Sequence, residues 1–159
     1  QEVMGWADSH LHGFHWRGER FGLPDPEFDE ERVVDERTVT LKELGLSIKD
    51  RLEYVYDFGD GWEHVLTVEQ VLEAGEHQTP VCLKGARSCP PEDCGGAWGY
   101  ENLLDILKDP THEEYEEWKT WLPENFDPEQ CDLAEVNRAL SVKQWTLSPS
   151  SKKGRRKKV

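Results

Sequence analysis

No apolar run in this 159-residue chain approaches the ~18 residues that a membrane-crossing helix needs, and no apolar segment opens it as a secretory leader would. There is a single methionine, so the apolar interior must come from elsewhere. No Cys-x2-Cys pair occurs among Cys82, Cys89, Cys94 and Cys131, which excludes the usual zinc ribbon and finger spacings. A phosphate-cradling Gly-rich loop, a Rossmann glycine set, a His-Glu-x-x-His helix and a serine-triad signature are also missing, and with them go the common enzyme templates. These absences point to a soluble, cytoplasmic protein with reduced thiols and no membrane partner.

Aromatics and acid fill the gap. Seven Trp, five Phe and four Tyr supply large apolar area, enough for one domain of this length to bury a core. Acidic residues outnumber basic ones 33 to 19, a net charge of −14. Six of the 19 bases lie in the last eleven residues, so the rest of the chain carries −20. Such a body repels nucleic acid and favours cationic partners. The basic run Lys152-Lys-Gly-Arg-Arg-Lys-Lys158 is the one part suited to phosphate. We read it as a disordered tail over 149–159, following a single domain over 1–148.

Hydrophobic periodicity gives an α+β class: a mostly antiparallel sheet built from hairpins, with helices packed from the C-terminal half. Gln1–Trp6 reads as the end of a helix stopping at Gly5. His10–Trp16 and Arg20-Phe21 form a hairpin turning at Gly18, and the acidic, Pro-containing stretch Leu23–Glu36 is a loop. Thr40 caps a short helical turn that Gly45 ends. Leu52–Phe58 and Trp62–Val68 alternate with period 2 about a Gly59-Asp60-Gly61 turn, and Thr79–Leu83 reads as a further short strand. Lys84–Gly99 is a loop. Helices follow around Tyr100–Leu107, after a capping box at Thr111–Glu114, and after Asp132.

Three constellations carry chemistry. The first is Tyr54-Val-Tyr-Asp-Phe-Gly-Asp-Gly-Trp-Glu-His64, which packs Asp57, Asp60 and His64 around a bend. Its Asp-Phe-Gly triplet matches the magnesium-binding motif of protein kinases in letters only, because the partner loops are absent. Strand parity sets His64 beside Tyr56 and Asp57 on the opposite face, with Phe58 and Trp62 paired across the turn. The second is His10-Leu-His12. Two imidazoles at i and i+2 on a strand share a face, half of a zinc-type site that His64, Asp57 or Asp60 would complete. The third is Cys89-Pro-Pro-Glu-Asp-Cys-Gly-Gly96, a stiff loop presenting Glu92 and Asp93 as a carboxylate lip over a groove lined by Trp98 and Tyr100.

His10-Leu-His-x-Phe14, Tyr54-x-Tyr-Asp-Phe-Gly-Asp-x-Trp-x-His64, Cys89-Pro-Pro-Glu-Asp-Cys-Gly-Gly-x-x-Gly-Tyr100 and Phe126-Asp-Pro-Glu-x-x-Asp-Leu-x-x-Val-Asn-x-x-Leu140 occur in that order. Together they resemble the plasmid pRiA4b ORF-3-like family over roughly residues 3–141. The resemblance implies a mostly antiparallel α+β fold. It also implies occurrence in bacteria and archaea, sometimes beside plasmid or transposon genes, and no established activity. Some members of that family carry an apolar residue at the position of Cys94, which argues against an essential metal role for it. Members usually begin with two further strands and half a helix before Met4-Gly-Trp6, so the resemblance implies an N-terminally incomplete domain.

The functional expectation is a non-catalytic binding module. Its groove lies where the 54–64 hairpin, the 10–16 strand and the 89–100 loop meet, and its partner is a protein, a peptide or a small cationic ligand. Two alternatives stand beside it: a hydrolase or nuclease using a divalent metal such as zinc on His10 and His12 with nearby carboxylates, His64 being a further candidate ligand, and a nucleic-acid accessory factor of mobile elements, with the Lys152–Lys158 tail as a candidate phosphate contact.

Overall fold

A computed structural model describes residues 1–27, 32–72 and 79–143. The expected tail over 149–159 lies outside the described residues. Five strands form one sheet in the order β3-β2-β1-β4-β5. They are β1 (His12–Trp16), β2 (Glu19–Gly22), β3 (Val33–Asp35), β4 (Arg51–Tyr56) and β5 (Trp62–Thr67). Every pairing is antiparallel except β2 with β3. Four helices follow the same chain: α1 (Leu41–Leu44), α2 (Gly96–Lys108), α3 (Tyr115–Trp121) and α4 (Leu133–Val142). The α+β class therefore holds, with three of the four helices in the C-terminal half.

The β1–β2 hairpin turns on Arg17 and Gly18, both with positive φ, the two-residue turn whose twist suits antiparallel strands. Register sets Phe14 opposite both Phe21 and Tyr54, and Leu52 opposite Leu66, so one face of the sheet is apolar and aromatic. Trp16, Phe21 and Leu52 are buried there, and Val39, Leu44 and Leu46 of the α1 segment pack on them. The expected Thr40 cap and Gly45 stop of α1 are both present, Gly45 in the left-handed conformation, and Glu43 completes a capping box with Thr40.

Several local expectations need correction. Leu23–Glu36 is not all loop: Val33–Asp35 forms β3, whose two valines are too short a β-branched run to register as a strand by periodicity. Thr79–Leu83 is not a strand. The backbone N–H and C=O of Cys82 instead pair with the Asn137 side chain of α4, which substitutes for a neighbouring strand. Thr111–Glu114 makes no capping box, because the Thr111 hydroxyl donates to Asp109 and Glu114 caps α3 without a side-chain bond. Residues 1–6 form a turn, not a helix end, although Gly5 does take φ +75°. α2 begins at Gly96, inside the stretch read as loop.

Candidate functional site

The β4–β5 connection is a five-residue turn, Asp57–Gly61, because Tyr56 pairs with Trp62 and Tyr54 with His64. This centres the hairpin on Gly59, not on Asp60. His64 shares the aromatic face with Tyr54 and Tyr56 as parity requires, and its Nδ1 lies 3.3 Å from the Tyr54 carbonyl. Phe58 does not pair with Trp62. Its ring lies over Gly13 on the other face, close to where a Cβ on Gly13 would stand.

Asp57 departs from simple alternation. It sits at φ +55°, a conformation that Asp tolerates better than most side chains, and this turns its carboxylate out of the strand pattern. Its Oδ1 accepts from the backbone N–H of Gly59 at 2.9 Å and of Asp60 at 3.3 Å. Its Oδ2 is left facing His10 Nδ1 at 3.6 Å. His10 precedes β1, so the i, i+2 rule does not place it beside His12. Its Nε2 lies 3.2 Å from Asp93 of the 89–95 loop, and its ring meets Tyr56 edge-on at 5.9 Å. His12 belongs to a different group: Nε2 bonds Glu36 at 2.9 Å, and Nδ1 is 3.3 Å from the Gln1 amide. The three histidines thus divide among three environments. Among the described residues, the group whose ligand atoms lie within 4.8 Å of one another is His10, Asp57 and Asp93.

The 89–95 loop is pinned to this corner by Glu92. Its carboxylate accepts from the Tyr56 hydroxyl, from Ser9 Oγ at 3.0 Å and from the Ala7 N–H at 3.0 Å. Burial pushes the Glu92 carboxyl up, but those three bonds and nearby His10 outweigh it and leave it below its ordinary value. Tyr56, 1% exposed, is pushed up by burial first and by Glu92 second. Trp6 stacks on Tyr56 at 4.6 Å and donates its indole N–H to the Pro90 carbonyl. Glu92 is therefore committed to holding the loop, with no oxygen offered outward as a lip.

Asp60 and the two glycines complete the joint. The Gly95 N–H donates to Asp60 Oδ2 at 3.1 Å. A Cβ on Gly96 would lie 2.3 Å from the Asp60 carbonyl oxygen, so only glycine lets the first turn of α2 press on the hairpin tip. That turn carries Trp98, 85% exposed. Tyr100, two residues on, points to the opposite side of the helix, near Cys89 and Cys94, so the two aromatics do not line one groove. Burial raises the Cys89 thiol to about 12 and Cys94 to about 11, which keeps both protonated and poorly nucleophilic at neutral pH.

The sequence missed Tyr56, Ser9 and Trp6 as positioning residues, and Phe58 as an exposed aromatic of this corner. Glu36 was missed too. One oxygen holds His12, while Oε2 is inaccessible and has no hydrogen-bond partner among the described residues. It borders an apolar cleft of about 370 Å³ between the sheet and α1. No local pattern in the sequence marks these long-range pairings. No helix among the described residues is long and apolar enough to cross a membrane.

Comparison with known proteins agrees with this fold. The sequence profile of the family described as "Plasmid pRiA4b ORF-3-like protein" matches residues 1–135. The uncharacterised protein y4hQ of Sinorhizobium fredii is 36% identical over 141 residues, which cover 88% of this chain and 73% of that protein. The crystal structure of the protein of unknown function MM3350 from Methanosarcina mazei superposes with a TM-score of 0.74 at 38% identity, over 86% of this chain and 78% of that one.

Proposed function

This chain belongs to the plasmid pRiA4b ORF-3-like family, and we propose that it is a non-catalytic binding module that docks a cationic protein or peptide at the β4–β5 tip. The observation that carries this reading is the 85% exposed Trp98 on a helix turn locked against that tip. Phe58, 58% exposed, lies on the same hairpin tip. A tryptophan held on a rigid frame loses little conformational entropy on burial, which is the profile of an interface anchor.

Charge selects the partner's chemistry. Asp57 and Asp60 lie in the turn that carries Phe58, Asp93 lies in the loop that leads into α2, and the chain excluding its last eleven residues carries −20. Carboxylates at the rim speed encounter with a basic surface and turn phosphate away. The Cys89 and Cys94 thiols of the 89–95 loop are protonated and not activated, and loop pinning occupies the Glu92 carboxylate. The reading places the protein in the cytoplasm, where free thiols such as its four persist.

The test compares proteins captured from the native host by the untagged chain on a covalent support with those captured by Trp98→Ala and Phe58→Ala, both checked for native melting. Partners should be lost from Trp98→Ala, with an affinity drop of about 30-fold for a 2 kcal/mol anchor, and should elute at raised salt. Identical partner sets and amounts on all three columns would overturn the reading.

A further inference from the structure

We propose that His10, Asp57 and Asp93 bind one divalent transition-metal ion of the zinc class. The inference goes beyond the docking surface, since an ion can bind here whether or not a partner does.

The argument starts from the imidazole. A neutral histidine carries one N–H, yet both ring nitrogens of His10 face carboxylates: Nδ1 faces Asp57 at 3.6 Å and Nε2 faces Asp93 at 3.2 Å. One of those contacts therefore sets a lone pair against a carboxylate oxygen. A positive charge between them removes the repulsion. The Asp57 contact is too long for an N–H···O bond. It is close to the ~3.4 Å that separates two ligands of a tetrahedral ion with ~2.1 Å bonds.

The groups are also oriented for the task. Two backbone N–H groups fix Asp57 through Oδ1, so Oδ2 keeps its aim at His10. Tyr56 fixes the His10 ring edge-on, and the Glu92 clamp holds the loop that bears Asp93. Asp93 is 69% exposed and free to swing by the ångström or so that closes a 4.8 Å triangle. One nitrogen and two oxygens is a borderline donor set. The imidazole favours zinc over calcium or magnesium, and the absence of sulfur from the set disfavours copper(I). Three protein ligands leave at least one position for water or a partner's side chain.

Isothermal titration of the untagged, thiol-reduced protein with Zn²⁺ alone is the test, repeated with Co²⁺ for its visible spectrum. One ion per chain is expected, with d–d bands and no thiolate charge-transfer band. His10→Gln and Asp93→Asn should each weaken binding more than about ten-fold, the least expected from losing a direct ligand when outer-shell losses cost that much. His15→Gln, which alters an exposed histidine paired with Glu53, should leave it unchanged. Asp93→Asn keeps the test decisive if His10→Gln fails to fold. No stoichiometric binding, a thiolate band, or unchanged affinity in Asp93→Asn would each overturn the proposal.

Discussion

Removing the Glu92 carboxylate tests how the loop is held. Glu92→Ala deletes three hydrogen bonds at once. The Ala7 N–H and the Ser9 hydroxyl are exposed and recover water, so each loss costs about 0.5–1 kcal/mol. The Tyr56 hydroxyl belongs to a side chain 1% exposed. It still accepts from the Ser9 N–H at 3.2 Å, but its own proton is left without an acceptor, at about 1–3 kcal/mol. The sum is about 2–5 kcal/mol. Tyr56→Phe, by contrast, removes both the donor and its need for a partner, at about 1–1.5 kcal/mol. The double variant should then fall short of additivity by about 1–2 kcal/mol, measured by urea unfolding at neutral pH. Additivity within about 0.5 kcal/mol would refute the coupling. The pH dependence has a fixed sign. Because the native Glu92 carboxyl lies below its ordinary value, its contribution is complete above the ordinary carboxylate range and is lost as pH falls through the native value. Glu92→Gln should flatten the acid limb of the stability profile, and an unchanged limb would contradict the assignment.

Gly96→Ala should push α2 off the hairpin tip, since its Cβ would sit 2.3 Å from the Asp60 carbonyl oxygen at φ +67°. A loss above about 2 kcal/mol is expected in thermal unfolding. Asn137→Ala should free the segment around Cys82, raising amide exchange at Cys82 before the sheet is affected. Trp98→Ala should change stability by no more than about 0.5 kcal/mol, because the side chain is exposed, while abolishing capture of the partner.

The elements that were legible in the sequence are those whose signal is local. The β4–β5 hairpin came from period-2 alternation, the β1–β2 hairpin from its turn glycine, and α1 from its Thr40 cap and Gly45 stop. β3 was hidden because two valines are too few to show a period. The strand expected over 79–83 failed because extended backbone can be satisfied by one asparagine on a distant helix. At the site, the sequence singled out Asp57, Asp60, His10 and Asp93 as polar groups, and the fold brings them to one corner. It could not say which would meet, since a left-handed Asp57 and a His10 lying before β1 both escape strand parity. The helical period does separate Trp98 from Tyr100, and once α2 is known to start at Gly96 the two cannot share a groove.

The central claim is that the corner built by Asp57–Gly61 and the first turn of α2 is a docking surface. Site-specific photocrosslinking in the native host addresses it most directly, with a photoreactive phenylalanine analogue in place of Trp98 and, as control, in place of exposed Val142. A discrete adduct with a basic protein or peptide from position 98, absent from position 142, is the predicted result. No adduct at 98, or the same adducts from both positions, would contradict the account.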